Sequence, residues 1–138
     1  MPLEGQVRLY LDRAVDLRRT FQLVRDDVEH RYSSALLAIH SAISFADALR
    51  VGLGDEHLSS ENHQEAVAAL KRALQHRRPN DLSGLQHYEY LISQKSIVAY
   101  GAKELTSKQM QRLTKDAERF AQWANTLGAK LNIEGWRE

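Results

Sequence analysis

Apolar residues recur every three or four positions along most of the chain, which is the spacing of one buried face of an α-helix. The first such stripe predicts a helix from about Gly5 to Asp27. Its members are Val7, Leu11, Ala14, Leu17, Phe21, Val24 and Val28. A bend is expected at Glu29–Ser33, because the apolar density falls there and Ser33 or Ser34 can cap a new helix.

The second predicted helix, about Ser34 to Val51, is apolar on nearly all sides. A helix of this kind is usually a central one, enclosed by its neighbours. Gly52 and Gly54 follow it, and glycine is common where a helix ends because it tolerates a left-handed backbone. The pattern therefore predicts that this segment forms the middle of the fold.

Three further helices are predicted, over Glu61 to about Arg77, Leu82 to Leu105 and Lys108 to Leu131. The residues expected to cap them are, in chain order, Ser59 or Ser60, Asp81, and Ser107 or Thr106. The last helix carries a stripe spaced alternately three and four apart, which suits near-parallel packing against a long neighbour. The tail from Asn132 to Glu138 is expected to fray.

These segments predict an all-α fold, an up-and-down helical bundle with a four-helix core and about five helices, in a single domain over residues 1–138. The chain has no cysteine, which excludes disulfides and cysteine-ligated metal and favours a cytoplasmic location. No signal peptide is visible, and the charge-free apolar stretch Tyr32–Ala46 is too short to span a membrane. No cofactor, metal or membrane contact is expected.

The net charge is only +1, whereas a general nucleic-acid binder usually has a strong basic excess. The densest basic cluster lies at the end of the third predicted helix and comprises Lys71, Arg72, His76, Arg77 and Arg78. Cations in the last turn of a helix are favoured by its dipole, so capping alone accounts for them. A phosphate-binding patch is the alternative.

Polar residues interrupt two of the apolar stripes. On the second helix His40, Ser44 and Asp47 share one side, and on the fourth helix Lys95 follows Tyr88 within the stripe. A buried charge is costly unless it is paired, so Asp47 and Lys95 each need a partner or access to water. Two hypotheses stay open. Either each residue is satisfied locally, or Lys95, Tyr88, Asp47 and His40 converge on one polar pocket.

The segment 31–49, RYSSALLAIHSAISFADAL, resembles the second helix of HEPN (higher eukaryotes and prokaryotes nucleotide-binding) domains. Gly54 with residues 60–66, SENHQEA, is similar to their glycine turn and the start of their third helix. Lys95–Tyr100 is similar to the segment before their last helix, and the amphipathic stretch from Ser107 to Leu131 fits that helix. The resemblance covers about Leu9 to Leu131.

The resemblance implies a four-helix core, a homodimer and one of two functions. Some HEPN domains are metal-independent ribonucleases, often toxins with a nucleotidyltransferase partner, and others are non-catalytic binding modules. The ribonuclease motif is an arginine followed, after four to six residues, by a histidine. This chain has Lys95 and Tyr100 in the corresponding segment, and neither matches the chemistry of that motif.

The sequence therefore favours a non-catalytic, HEPN-like binding module for a nucleotide or RNA phosphate, or for a nucleotidyltransferase. The candidate ligand-binding residues are Lys95, Asp47, His40, Ser44, Tyr88 and Tyr100. One alternative is a ribonuclease with His40, His63 or His76 as general base and Arg72 or Lys95 as phosphate clamp. The other is a purely structural interaction domain.

Overall fold

A computed structural model describes residues 3–55 and 63–136 of the chain. Over these residues the chain forms five α-helices, so the predicted all-α bundle is confirmed. The helices are α1 (Leu3–Val24), α2 (Arg31–Gly52), α3 (His63–Gln75), α4 (Gly84–Tyr100) and α5 (Ser107–Lys130).

The bend between α1 and α2 lies close to where the sequence predicts it, but serine does not cap the second helix. A single 3-10 turn, Val28–His30, joins the two helices, and the Asp27 side chain accepts a hydrogen bond from the backbone of Glu29. The helix already begins at Arg31, so Ser34 is a fully buried residue inside its first two turns. The prediction failed because α2 begins directly after the 3-10 turn, with His30 at its N-cap and no side-chain cap hydrogen bond.

Helix α2 is the centre of the bundle and contacts each of the other four helices. It packs antiparallel to α1, and the Ser41 hydroxyl donates a 2.8 Å hydrogen bond to the carbonyl of Ala14. The segment Val28–Gly52 is long and apolar enough to cross a membrane, but two-thirds of its most apolar window (67%) is buried in the bundle, as in a core helix. The prediction that α2 is the central helix is confirmed, although its residues Leu36, Leu37 and Ile43 are only half-buried.

Helix α4 is shorter than predicted and ends at Tyr100 rather than Leu105. Gly101 adopts an extended backbone there and its N–H still bonds the carbonyl of Ile97. Apolar spacing continues through Ala102 to Leu105, which misled the prediction. Helix α3 also ends two residues early, at Gln75, and its proposed caps Ser59 and Ser60 lie outside the described residues.

The capping of α5 and the position of the tail are both defined. Thr106, one of the two predicted caps, forms a reciprocal capping box with Gln109. Trp136 does not fray, since its indole packs against Gly128 so closely that a β-carbon there would overlap the ring. Tertiary contact therefore orders the tail to at least this residue.

Three aromatic side chains link α4 to α5 in the core. The rings of Tyr88 and Phe120 are stacked with centroids 5.0 Å apart, and Phe120 lies 5.6 Å from Trp123. The start of α4 packs directly on Trp123, because Gly84 has no side chain to keep them apart. This aromatic cluster therefore holds the start of α4 against α5.

Candidate functional site

A cleft of about 600 Å³ lies between α5 and the loop that joins α3 to α4. Its floor is apolar and includes Trp123 and Leu127. Four cationic side chains line it, two from the loop and two from α5, namely Arg77, Arg78, Arg119 and Lys130. The volume is in the usual range for small-ligand pockets, and we call this region the basic cleft.

The loop reaches the cleft through a tight turn after α3. The backbone N–H groups of Arg77 and Arg78 both lie 3.1 Å from the carbonyl of Leu74, and Arg78 has a φ of +44°. Pro79 then prevents the helix from resuming. The turn directs the chain towards α5, where the indole N–H of Trp123 donates a 3.0 Å hydrogen bond to the carbonyl of Asp81.

Arg77 also joins the two sides of the cleft. Its Nη2 donates a 2.6 Å hydrogen bond to the carbonyl of Leu131, just after the end of α5. A guanidinium has five N–H donors in a planar fork, so one such bond leaves others for a ligand. The contact holds Arg77 in place on the side of the cleft that faces α5, and its other N–H groups remain available as donors.

The carboxylates near these cations have partners of their own. Asp81 accepts a 2.9 Å hydrogen bond from the Ser83 backbone. Hydrogen bonds from the Ser83 side chain and backbone, and then the charge of Lys130, lower the pKa of Asp81 below its usual value. Asp81 is therefore ionised at neutral pH and offsets part of the positive charge of the cleft.

One histidine of the cleft is held by a nearly buried acid. Nδ1 of His87 lies 3.1 Å from Oδ1 of Asp116, which is 7% exposed. Arg112 approaches the other carboxylate oxygen at 3.8 Å and also stacks over the Tyr90 ring. In the tautomer in which Nδ1 of His87 donates to the Asp116 carboxylate, Nε2 is the ring nitrogen that can accept a proton.

The sequence singled out Arg77 and Arg78, but Arg119, Lys130, His87 and Asp116 were missed. The two cations on α5 could have been found from the sequence. A polar stripe runs beside the apolar one on this helix, and it consists of Arg119, Gln122, Thr126 and Lys130. Nothing in the sequence pairs His87 with Asp116, which lie 29 positions apart. Of the predicted basic cluster, Lys71, Arg72 and His76 are exposed and do not line the cleft.

His40, Ser44 and Asp47 line a different groove, between α1 and α2. The Oδ1 atom of Asp47 lies 4.0 Å from Nη1 of Arg50, and within the described residues no ion pair joins Asp47 to Lys95. Burial, and then the charge of Lys95, lower the pKa of His40.

The two predicted tyrosines are not part of that groove. Tyr88 is 2% exposed and stacks on Phe120 in the core, whereas Tyr100 is 89% exposed at the end of α4. The predicted four-residue pocket is therefore not formed: His40 and Asp47 line the groove, Tyr88 lies in the aromatic core, and Lys95 does not line the groove. The side chain of His63 lies outside the described residues.

Comparison with known protein families, with curated proteins and with solved structures found no match for this chain.

Proposed function

We propose that this protein is a non-catalytic binding module that holds a phosphate of a nucleotide or an RNA strand in the basic cleft. One observation carries the proposal: four cationic side chains from two separate elements surround a single pocket with an apolar floor. Arginine matches the geometry of phosphate oxygens through its planar fork, and lysine adds a point charge. The cytoplasmic location and the HEPN-type setting expected from the sequence fit such a ligand.

The basic cleft replaces Lys95 as the favoured phosphate site for an electrostatic reason. A phosphate carries one to two negative charges, and several converging cations bind it better than one lysine on a helix face. The apolar floor beside Trp123 and Leu127 leaves room for a sugar or base next to the phosphate. The low net charge of +1 is compatible with this, since the positive charge is local.

The binding test uses 5′-AMP and a short single-stranded RNA as probes, with calorimetry or fluorescence anisotropy as the measurement. We expect Arg119→Gln to weaken binding about tenfold, the effect of losing one charge-assisted contact. The matched control is Arg72→Gln, an exposed arginine outside the cleft, which should change affinity less than about twofold. Log affinity for RNA should fall with log salt with a slope of about −0.7 per phosphate held.

Three results would contradict the proposal. The first is that neither probe binds at about 1 mM. The second is that the two variants lose affinity equally, and the third is that the salt slope is zero. A slope near that of one phosphate for both probes identifies a mononucleotide site, and a steeper slope with RNA identifies a strand. Failure of both probes would leave the structural interaction domain as the better interpretation.

A second candidate, metal-independent cleavage of RNA, is favoured by His87 and Asp116. The Nε2 atom of His87 can take the proton of a ribose 2′-hydroxyl, whose oxygen then attacks phosphorus as the P–O5′ bond breaks and the leaving oxygen takes up a proton. Arg77, Arg119 and Lys130 would stabilise the charge that builds up on the phosphate oxygens. The basic cleft thus contains a candidate general base and several cationic side chains that can bind a phosphate. The spacing of these residues in the sequence did not predict that they lie together.

The cleavage test incubates RNA with the protein in excess chelator. If the protein is a ribonuclease, His87→Gln and Asp116→Asn should each reduce the rate, the former by about 100-fold or more. Binding of RNA should change less than about threefold in His87→Gln, which separates catalysis from affinity. If intact protein does not cleave, or if cleavage persists in His87→Gln, this candidate is excluded.

A further inference from the structure

A second groove lies beside the basic cleft, between α1 and α5. Its volume is about 690 Å³, and we call it the α1–α5 groove. On the α1 side it is lined by Val15, Arg18, Arg19 and Gln22, whose spacing of three or four positions places them on one helix face. Val15 is the one apolar side chain in the described lining, so the groove does not suit an apolar partner.

The groove and the basic cleft adjoin along a ridge on α5. Three exposed residues of one helix face line both of them, namely Arg119, Gln122 and Thr126. A helix is about 10 Å wide with its side chains, so the two pockets lie roughly one helix width apart. A ligand that fills both therefore needs two phosphates that are further apart than the adjacent phosphates of a nucleoside triphosphate.

Positive charge is concentrated on this double surface. Six cationic and two acidic residues occur in the described lining of the two pockets, an excess of four. The whole chain has an excess of only one, so its remaining charged residues are on balance acidic. This separation of charge favours a polyanion, which gains affinity from every phosphate that it places on the basic surface.

The acidic residue of the α1–α5 groove, Glu118, is already paired. Nη2 of Arg18 lies 3.1 Å from one of its carboxylate oxygens, and Nη1 of Arg25 lies 2.9 Å from the other. Arg19 and Arg119 are exposed and form no ion pair within residues 3–55 and 63–136. These two arginines are therefore the side chains that can bind a phosphate in the groove.

The lining of the groove also includes an acceptor without a donor. Oδ1 of Asn125 is buried and has no hydrogen-bond partner in the part of the chain that the structure describes. An orphaned acceptor costs free energy, which a donor from a ligand recovers when the amide turns towards it. The hydroxyl groups of ribose and the amino groups of bases are donors of this kind. The groove thus offers partners to a sugar or base as well as to a phosphate.

We propose that a single strand of RNA lies across α5, with one phosphate in the basic cleft and another in the α1–α5 groove, bound by Arg19 and Arg119. This inference rests on the proposed function and deepens it, because it names a strand rather than a mononucleotide as the ligand. The strand is single because a base reaches the apolar floor of the cleft only when it is unpaired. Contacts to phosphate and sugar carry little sequence information, so binding should depend weakly on base sequence.

The test measures the affinity of the full chain for 5′-AMP and for a single-stranded RNA of about eight nucleotides, a length within the usual span of strand-binding sites. Arg19→Gln, which alters the groove alone, should weaken RNA binding about fivefold and change AMP binding less than about 1.5-fold. Lys130→Gln, which alters the cleft alone, should weaken the binding of both probes. The matched control is Arg13→Gln, an exposed arginine on α1 that lines neither pocket and should change both affinities less than about twofold.

Salt dependence gives a second measurement. The slope of log affinity for RNA against log salt should be about −1.4 or steeper, as for two phosphates, and Arg19→Gln should make it shallower by about 0.7. The slope for AMP should stay the same in this variant. Duplex RNA of the same length should bind at least about fivefold more weakly than the single strand.

The outcomes separate this inference from the proposed function. If Lys130→Gln weakens AMP binding but Arg19→Gln affects RNA no more than Arg13→Gln does, the proposed function stands and the strand across α5 is overturned. If Arg119→Gln and Lys130→Gln change the affinity for neither probe, the proposed function fails and this inference fails with it. The inference is also overturned if duplex RNA, or a polyglutamate peptide of equal charge, competes as well as the single strand.

Discussion

Replacement of Phe120 by alanine is expected to lower the free energy of unfolding by about 4 kcal/mol, within the range of 3–5 kcal/mol usual for loss of a buried phenyl ring. Phe120 is fully buried (0% exposed) and lies between the rings of Tyr88 and Trp123. The substitution therefore removes apolar area, two ring contacts and the support of the cleft floor. Urea denaturation followed by circular dichroism measures the effect.

The control for this prediction is Leu23→Ala. Leu23 is also a large apolar residue on a long helix, but it is 84% exposed, so the stability should change by less than about 0.5 kcal/mol. The Phe120 variant should also bind phosphate ligands more weakly, because Trp123 loses a packing neighbour. A loss of stability below about 1.5 kcal/mol would mean that the core closes around the missing ring and that these aromatics do not hold the cleft in shape.

The number and order of the helices could be predicted from the sequence because each stripe buries one face against a single core. Their ends were less predictable, for local reasons. Apolar spacing continues past Tyr100 as far as Leu105, yet the backbone becomes extended at Gly101. At the other junction, Asp27 caps the 3-10 turn Val28–His30, and α2 then begins at Arg31 without a side-chain cap. Periodicity shows which residues are buried, whereas turn chemistry fixes where a helix stops.

The candidate site was harder to predict because it is assembled from distant parts of the chain. Arg77 and Arg78 stand out as a basic run, but they become part of a cleft only where α5 places Arg119 and Lys130 opposite them. The expected convergence of Tyr88 with Lys95 failed because Tyr88 turns inward to stack on Phe120. A helical stripe does not show which neighbouring helix each of its polar side chains faces, because this depends on how the helices cross.

The second large effect is expected at Gly84, the first residue of α4. In an ordinary helix, glycine to alanine stabilises by up to about 1 kcal/mol. Here a β-carbon would overlap the indole ring of Trp123, which is 8% exposed and has little room to move. We expect Gly84→Ala to destabilise the protein by about 2–3 kcal/mol, the upper part of the range of about 1–3 kcal/mol for an overpacked core. The same shift would strain the bond from Trp123 to Asp81 and thereby displace the loop that carries Arg77 and Arg78.

A double-mutant cycle with Trp123→Leu tests this mechanism, with thermal and urea unfolding as measurements. In the Trp123→Leu background the overlapping ring is gone, so Gly84→Ala should be neutral or stabilising, and the two substitutions should be non-additive by about 2 kcal/mol. Additive effects would show that the cost at Gly84 arises elsewhere. If Gly84→Ala alone raises the unfolding temperature, α4 does not rest on Trp123 as described, and the shape of the basic cleft does not depend on that contact. Affinity for phosphate ligands should fall together with stability in Gly84→Ala, because one packing contact positions both the helix and the cationic loop.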